Sequence, residues 1–221
     1  RCKLAMSLDG RTAMESGESK WITGPKARAD VQRLRARSCA IISGVDSVLQ
    51  DNSSLTVRAD ELDLPNAQDA AAKQPLRVIL DSRLRLSRNA LMFKQPTPIL
   101  LVHNDTATDE QLAGWPDFVE LLALPAKDGR IDLQALLREL AQRHCNEVLV
   151  EAGATLAGSF LRRGLLDEII VYMAPKLLGS NARPIFDLPL ESMSASLALK
   201  IKDIRAVGRD WRITASPDTE Y

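Results

Sequence analysis

The residues most suited to chemistry are a glutamate and the glycine turn that follows it, in the stretch "VLVEAGATLAGSFLRRG" at positions 148–164. An apolar run ends at Glu151, and a segment with helical spacing begins after Gly153. Backbone N–H groups at a helix start are unpaired and carry the positive end of the helix dipole, so they bind phosphate. Gly153 lets an anion approach the backbone, while Thr155 and Ser159 add hydroxyl donors. The stretch therefore predicts an anion site beside a carboxylate.

The spacing of these glycines matches neither familiar nucleotide-binding signature. There is no G-x-G-x-x-G, and "GATLAGSF" has the two glycines of a P-loop without its lysine, which disfavours an ATP site. In the alternative interpretation, Gly153 is only a tight strand-to-helix turn and Gly158 only a position of close packing. From this stretch alone, both interpretations stay open.

Other catalytic and metal-binding patterns are missing from the sequence. His103 and His144 are the only histidines and there is no H-E-x-x-H, so we assign neither a role and predict no metal site. No G-x-S-x-G elbow supplies a nucleophile for a triad hydrolase. The carboxylates of Asp51 and Glu151 could form an acid–base pair if the fold brings them together, but spacing cannot settle this.

Composition points to a small-molecule partner. The 221 residues, 45% of them hydrophobic, can bury a core, and the formal net charge of zero implies no attraction to nucleic acid or an anionic membrane. Three widely spaced cysteines argue against a disulfide framework and favour a reducing cytoplasm. No apolar run approaches membrane-spanning length, and the start without methionine is interpreted as a domain from a longer chain.

Strand and helix patterns alternate along the chain. Strands are predicted at "CKLAM", "AIISG", "LRVILD", "PILLVH" and "EVLVE". Helices are predicted at "GPKARADVQRLRARS", with Gly24 as its cap, and at "IDLQALLRELAQRH", capped by Asp132. The predicted apolar faces of these helices comprise Ala27, Val31 and Leu34 in the first, and Leu133, Leu136, Leu137 and Leu140 in the second. From the helix pattern alone, we interpret Arg28, Arg35 and Arg37 as a solvated helix face.

The order of these elements predicts an α/β fold with a three-layer αβα architecture and a mostly parallel central sheet. The tail "LKIKDIRAVGRDWRITA" alternates apolar and polar residues around a "VGRD" turn, which predicts an antiparallel hairpin at the sheet edge. The polar, alanine-rich stretch at 58–74 is interpreted as a surface excursion.

The motifs "SLDGR", "ESKWIT", "DN..LTVR" and "APKLLG" occur in this order, within longer segments that cover nearly the whole chain. Together these segments resemble the reductase domain of the bifunctional deaminase/reductase of riboflavin biosynthesis. The resemblance implies a dihydrofolate-reductase-like fold, NADPH as hydride donor, and a homodimer. It also implies a phosphoribosylamino-pyrimidine substrate, 5-amino-6-(5-phosphoribosylamino)uracil, whose ribosyl group is reduced to ribityl.

The deaminase half of that family carries a zinc site of the H-x-E and P-C-x-x-C type, which nothing here matches. We therefore interpret residues 1–221 as a single reductase domain. In the family, a deaminase domain is normally fused at the N-terminal side.

The resemblance also assigns residues to the two ligands. For the substrate phosphate it implies Ser19, Arg35 and Arg58, with Leu55 lining the same pocket. For the cofactor it implies Ala5, Trp21, Ser47, Asp51 and Ser82, the last toward the adenosine part, and a diphosphate cradle formed by Gly153, Ala154, Thr155, Leu156, Ala157, Gly158 and Ser159. Trp21 has a competing interpretation as a core residue. Ala154 stands where the family's loop often has another glycine or proline, a change that keeps the backbone N–H.

The implied catalytic residues are Glu151, Asp51 and Lys3. Hydride reaches the first carbon of the sugar after ring opening to an imine, so the site must favour a developing cation and manage a proton. Glu151 ends an apolar strand, where a charged side chain gains nothing from burial, so its position indicates either exposure or a ligand. Of the two we expect a ligand, and the resemblance implies that it lies against the ribosyl group. Lys3 is a possible proton partner, and Arg83, next to Ser82, would favour NADPH over NADH.

Two rival functions stay open. One is a non-catalytic module that binds a dinucleotide or phosphosugar, which would not require the catalytic and phosphate residues together. The other is a pterin or folate reductase of the same fold, against which the phosphate set argues.

Overall fold

The structure, a computed structural model, describes residues 1–127 and 129–218. The strands are β1 (Cys2–Ser7), β2 (Arg11–Ala13), β3 (Ala40–Gly44), β4 (Leu76–Leu80), β5 (Ile99–His103), β6 (Val119–Ala123), β7 (Ala126–Lys127), β8 (Arg130–Ile131), β9 (Val148–Val150), β10 (Ile169–Ala174), β11 (Arg183–Pro184), β12 (Leu199–Val207) and β13 (Asp210–Pro217). The α-helices are α1 (Pro25–Ala36), α2 (Val45–Asp51), α3 (Ala67–Ala72), α4 (Asp109–Leu112), α5 (Leu133–Gln142) and α6 (Ala154–Arg162). Short 3-10 turns cover Ala59–Glu61, Leu91–Lys94 and Met193–Ala195.

The chain divides into two compact units. The first contains residues 1–31 and 150–221, and the second contains residues 32–149. The interpretation of residues 1–221 as one reductase domain stays a prediction. Each helix among the described residues is too short or too polar to traverse a lipid bilayer.

In the first unit, four strands pair in the order β12-β13-β10-β1. β1 and β10 run parallel, with Cys2 opposite Ile169 and Ser7 opposite Ala174. β13 runs antiparallel to both β10 and β12. β12 and β13 are joined by a two-residue loop in which Gly208 has a φ of 69°, a conformation that favours glycine. The predicted C-terminal hairpin is therefore confirmed.

In the second unit, β3, β4, β5 and β6 form a parallel array in that order. Every residue of β5 is buried, as are the central residues of β3 and β4. Strands buried on both faces favour apolar side chains at most positions, which explains why these segments are predominantly apolar in the sequence; Ser43, Arg77 and His103 are buried polar exceptions. The predicted α/β class, with a mostly parallel sheet and an antiparallel edge, is confirmed.

The two main predicted helices are also present. α1 begins directly after Gly24, whose carbonyl accepts the Arg28 N–H at 3.1 Å, and it buries Ala27, Val31 and Leu34. α5 is capped by Asp132, whose carboxylate accepts two N–H groups of the first turn, and it buries Leu133, Leu136 and Leu140 but leaves Leu137 half-exposed. The polar stretch at 58–74 contains a 3-10 turn and α3.

Buried polar groups hold loops in the second unit. The Arg77 side chain is fully buried, and its guanidinium donates to the carbonyls of Ser54, Met92, Gln95 and Thr97 at 2.7–3.2 Å. Burial lowers the pKa of Arg77 to about 10, so the side chain remains a cation at neutral pH. It fixes the backbone immediately before Leu55.

Candidate active site

Glu151 directly follows β9 and pairs with a lysine on β1. The register sets Cys2 opposite Val150, so Lys3 and Glu151 occupy neighbouring positions. The Lys3 ammonium lies 3.4 Å from a carboxylate oxygen of Glu151, whose side chain is 8% exposed. Glu151 is therefore not exposed but forms a largely buried ion pair, and its role as a ligand stays a prediction. A buried carboxylate is tolerated here because a cation accompanies it.

The face of β1 that carries Lys3 also carries Ala5, because side chains two residues apart on a strand point the same way. Ala5 is opposite Tyr172 of β10. The Tyr172 hydroxyl donates to Asp30 at 2.6 Å, and Arg212 donates to the same carboxylate oxygen at 3.0 Å. Burial and the bond to Asp30 raise the pKa of Tyr172 far above its usual range. This network around Asp30 was not predicted from the sequence.

The glycine loop begins α6. Gly153 precedes the helix with a φ of −72° and a ψ of 173°, a conformation open to any residue, so the turn itself does not require glycine. Gly153 and Thr155 are exposed, and Ala154 and Leu156 are half-exposed, which leaves the helix start open to a ligand. N–H groups at a helix start carry partial positive charge, which suits a diphosphate. The Thr155 hydroxyl already donates to the Asp187 carboxylate at 3.4 Å.

The second half of the predicted cradle is engaged within the protein. Ala157 is fully buried, and the Ser159 hydroxyl donates to the Thr155 carbonyl at 2.8 Å. A Cβ on Gly158 would overlap the carbonyl oxygen of Asp187. Gly158 is therefore a close-packing position, as the alternative interpretation held, and the cofactor assignments of these three residues stay predictions.

Trp21 is 62% exposed, so its interpretation as a core residue is wrong. The Arg28 guanidinium lies 4.6 Å from the centroid of the indole ring, and Arg28 also donates to the Thr23 carbonyl at 3.0 Å. Arg28 is therefore not simply part of a solvated helix face. Ser19, assigned to the substrate phosphate, is half-exposed in the same unit.

The other predicted cofactor residues belong to the second unit. Ser47 and Asp51 lie on α2, directly after β3, and Ser82 follows β4. Since Gly44 is opposite Leu80 in this parallel pair, α2 and the Ser82 loop meet at the same edge of the array. Arg83 is exposed there. The pairing of Asp51 with Glu151 as acid and base stays a prediction.

Two of the predicted phosphate residues come together between α1 and the 55–58 segment. Arg35 is 9% exposed and donates to the Thr56 carbonyl at 2.9 Å, so it is buried rather than solvated. The Arg58 backbone N–H donates to Gln32, one turn before Arg35, at 3.0 Å. Leu55 is buried, with a φ of 55°.

The Arg58 guanidinium donates to the Glu61 carboxylate at 2.7 Å, in a pair that is about one-third exposed on each side. Glu61 was not predicted, although an acidic residue three positions after an arginine is a common pairing distance. The Arg37–Glu147 ion pair, in contrast, lies on a solvated face as expected, with the Arg37 side chain 51% exposed.

Further loop contacts were missed because their partners are backbone groups. Asp9 accepts the N–H groups of Leu178 and Gly179 at 3.1 and 2.8 Å, and the Lys176 ammonium donates to the Trp21 carbonyl at 2.9 Å. The three cysteines are free thiols, and burial raises the pKa of Cys2 to about 12. Within residues 1–127 and 129–218, no group of three or more His, Cys, Asp or Glu side chains could hold a metal ion.

Comparison with known proteins identifies relatives over nearly the whole chain. A riboflavin biosynthesis protein RibD from Haemophilus influenzae is 44% identical over 220 residues, covering 97% of this chain and 57% of the relative. A 5-amino-6-(5-phosphoribosylamino)uracil reductase from Buchnera aphidicola is 38% identical over 208 residues, covering 92% of this chain and 99% of the relative. The structure of Acinetobacter baumannii RibD superposes with a TM-score of 0.84 at 41% identity, covering 99% of this chain and 58% of that one.

The chain thus spans a little over half the length of the RibD relatives it matches. Residues 1–213 match the family described as the RibD C-terminal domain. This chain belongs to the RibD C-terminal domain family.

Proposed function

We propose that this chain is an NADPH-dependent reductase of riboflavin biosynthesis that reduces the ribosyl group of 5-amino-6-(5-phosphoribosylamino)uracil to ribityl. The observation that carries the proposal is the match to a relative named for this reductase, of which the chain covers 99%. The largely buried Lys3–Glu151 pair supports it, because acidic and basic groups held together with little exposure to water suit proton handling at a sugar.

The cofactor of such a reductase is a nicotinamide dinucleotide, and NADPH is the form that we propose. The open start of α6 offers N–H groups for the diphosphate, and exposed Trp21 offers an aromatic surface for a planar ring. Arg83, exposed beyond β4, is the cation that we assign to the 2′-phosphate. When bound, the nicotinamide supplies the hydride for the first carbon of the sugar.

The side chains supply binding, charge and proton control. We assign Ser19, Arg35 and Arg58 to the substrate phosphate, because guanidinium groups make bidentate bonds to phosphate oxygens. Glu151 accepts ribosyl hydroxyl hydrogen bonds and stabilises the positive charge that develops after ring opening. Lys3, 3.4 Å from Glu151, is the proton partner at the ring oxygen. Asp51 remains assigned to the cofactor and to acid–base chemistry.

The test of the function is NADPH oxidation with the deaminated pyrimidine, beside its undeaminated form and dihydrofolate. We expect oxidation with the deaminated compound and none with dihydrofolate. Oxidation with dihydrofolate alone would favour the pterin or folate reductase. Binding of NADPH without turnover of any substrate would favour the non-catalytic module.

The role of Glu151 is tested by Glu151→Gln, which keeps the size of the side chain and removes its charge. Single-turnover reduction should slow by roughly ten- to a thousandfold, equivalent to about 1–4 kcal/mol of transition-state stabilisation, while NADPH affinity survives. Glu168→Gln is a matched control, because Glu168 forms an ion pair with Arg1 at 2.8 Å and has no proposed role in the reaction. A Glu151→Gln variant as fast as the parent would show that Glu151 has only a structural role, as one partner of an ion pair.

A homodimer is the assembly that we propose, and the hairpin of β12 and β13 is the face that supports it. The register places Ile201 opposite Ala215, Ile204 opposite Ile213, and Ala206 opposite Trp211, so these residues share one face. The register shift between Ile201 and Asp203 keeps Ile201 and Ile204 on that face despite their odd spacing. Ile201, Ile204 and Trp211 are 58%, 52% and 46% exposed. Contiguous exposed apolar residues mark association surfaces.

Light scattering coupled to size-exclusion chromatography tests this assembly. Ile204→Lys should shift the mass from dimer toward monomer, whereas Asp203→Lys, on the opposite face of the hairpin, should leave it unchanged. A monomeric parent would exclude the dimer.

The deamination step, which the resemblance gives to a separate domain, is proposed to lie outside residues 1–221.

A further inference from the structure

Trp21 is a largely exposed side chain that is nevertheless held from two sides. The Lys176 ammonium donates to its backbone carbonyl at 2.9 Å. The Arg28 guanidinium lies 4.6 Å from the centroid of the indole, within the range of a cation–π interaction. Arg28 is itself fixed by its bond to the Thr23 carbonyl at 3.0 Å. An exposed indole without such contacts would sample several rotamers.

The loop that carries Lys176 follows β10 and is fastened to the loop after β1. The Lys176 carbonyl accepts the Leu8 N–H at 2.8 Å. In the same pair of loops, the Asp9 carboxylate accepts the N–H groups of Leu178 and Gly179, which follow shortly after Lys176, at 3.1 and 2.8 Å. Asp9 also accepts a hydrogen bond from the Ser7 hydroxyl, which is the main reason why the pKa of Asp9 is lowered to about 2. The Asp9 carboxylate that joins the two loops is therefore ionised at neutral and mildly acidic pH.

We propose that Lys176 and Arg28 are positioning residues that hold Trp21 in the orientation in which it contacts the cofactor. Asp9 contributes by holding the loop that carries Lys176. The inference rests on the proposed function, which assigns Trp21 to the cofactor. A ring that is ordered before binding saves the entropy that would otherwise be lost when the ligand immobilises it. The three residues act through Trp21 rather than on the reacting atoms.

The experiment uses Trp21 as its own reporter. The chain has three tryptophans, so Trp115→Phe combined with Trp211→Phe leaves Trp21 as the single indole fluorophore. In this background, time-resolved fluorescence anisotropy without cofactor measures how much of the indole motion is fast and local. NADPH titration of the same protein then gives the dissociation constant, and steady-state assays give kcat.

Lys176→Met removes the ammonium donor and keeps the length of the side chain. We expect the fast local component of the Trp21 anisotropy decay to grow about twofold and the NADPH dissociation constant to rise about tenfold, equivalent to ~1.4 kcal/mol, with kcat at saturation little changed. Lys176→Arg, which restores a cationic donor, should recover most of the affinity. Lys26→Met is the control, because Lys26 is exposed on α1 and has no proposed role in holding Trp21.

Arg28→Gln provides an independent arm should Lys176→Met fail to fold, since it removes the cation from the ring itself. The inference is overturned if both variants leave the Trp21 anisotropy as in the parent, or if Trp21 loosens while NADPH affinity stays unchanged. A parent protein that binds no NADPH refutes the proposed cofactor and with it the positioning role. A parent that binds NADPH but turns over no pyrimidine refutes the proposed reaction only.

Discussion

Gly158→Ala sets two opposing effects against each other in the middle of α6. A Cβ at this position would overlap the carbonyl oxygen of Asp187 and would lie 3.1 Å from its carbonyl carbon and 3.3 Å from its nitrogen. All three atoms belong to the backbone, so no side-chain rotation can relieve the overlap. The same backbone is tied to the start of the helix, because the Asp187 N–H donates to the Ala154 carbonyl at 3.1 Å.

The magnitudes decide the sign of the effect. Alanine in place of glycine inside a helix is worth about 0.5–1 kcal/mol through helix propensity alone. Inserting a methyl group into a close-packed contact typically costs about 1–3 kcal/mol. Because the contact is with fixed backbone, we place the cost in the upper part of that range. The expected outcome is a net loss of about 1–2 kcal/mol in the free energy of unfolding.

Urea unfolding of the parent and the variant measures this difference, provided that the slope of unfolding free energy against urea is unchanged. Ala29→Gly, in the interior of α1, calibrates the propensity term, since the same exchange is made there in the opposite direction. A Gly158→Ala protein more stable than the parent would refute the reasoning. It would show that α6 and the Asp187 segment separate at little cost.

Three further outcomes are expected. Arg58→Ala should raise the substrate Michaelis constant by roughly ten- to a hundredfold with little change in the NADPH dissociation constant, and an unchanged Michaelis constant in a folded variant would contradict the phosphate assignment. Arg83→Ala should lower the ratio of NADPH to NADH preference by roughly tenfold, and an unaltered ratio removes Arg83 from the site. Asp30→Ala should lower the free energy of unfolding by roughly 3 kcal/mol, because Tyr172 and Arg212 lose their shared carboxylate, whereas Asp30→Asn should lose less; equal losses in urea unfolding would contradict this account.

The fold was predictable from the sequence because its strongest signals are local. The predominantly apolar segments at 40–44, 76–80 and 99–103 reflect strands that are buried on both faces. Caps such as Asp132, which accepts two N–H groups within its own helix, act over only three residues. The hairpin register, in contrast, depends on a shift near Lys202 that alternation alone does not reveal.

The candidate site was less predictable because its contacts join distant positions through backbone groups. The bonds from Asp9 to the 178–179 N–H groups and from Lys176 to the Trp21 carbonyl use partners that every residue type offers. No side-chain pattern in the sequence can therefore announce them. The sequence could not decide between the two interpretations of Gly158 for a related reason, since the group that requires glycine there is the backbone carbonyl of Asp187.

Glu151 shows how the structure changes the meaning of a sequence signal. A carboxylate at the end of an apolar strand suggested exposure or a ligand, yet the side chain is largely buried beside Lys3 at 3.4 Å. At that separation the ion pair is longer than a well-formed charge-assisted hydrogen bond, which is about 2.7–2.9 Å. Lys3 attracts Glu151 less strongly at this distance than in a short ion pair. Replacing part of this interaction with a hydrogen bond from a ribosyl hydroxyl therefore costs less free energy than breaking a short ion pair. The buried pair and the proposed ligand role of Glu151 are therefore compatible.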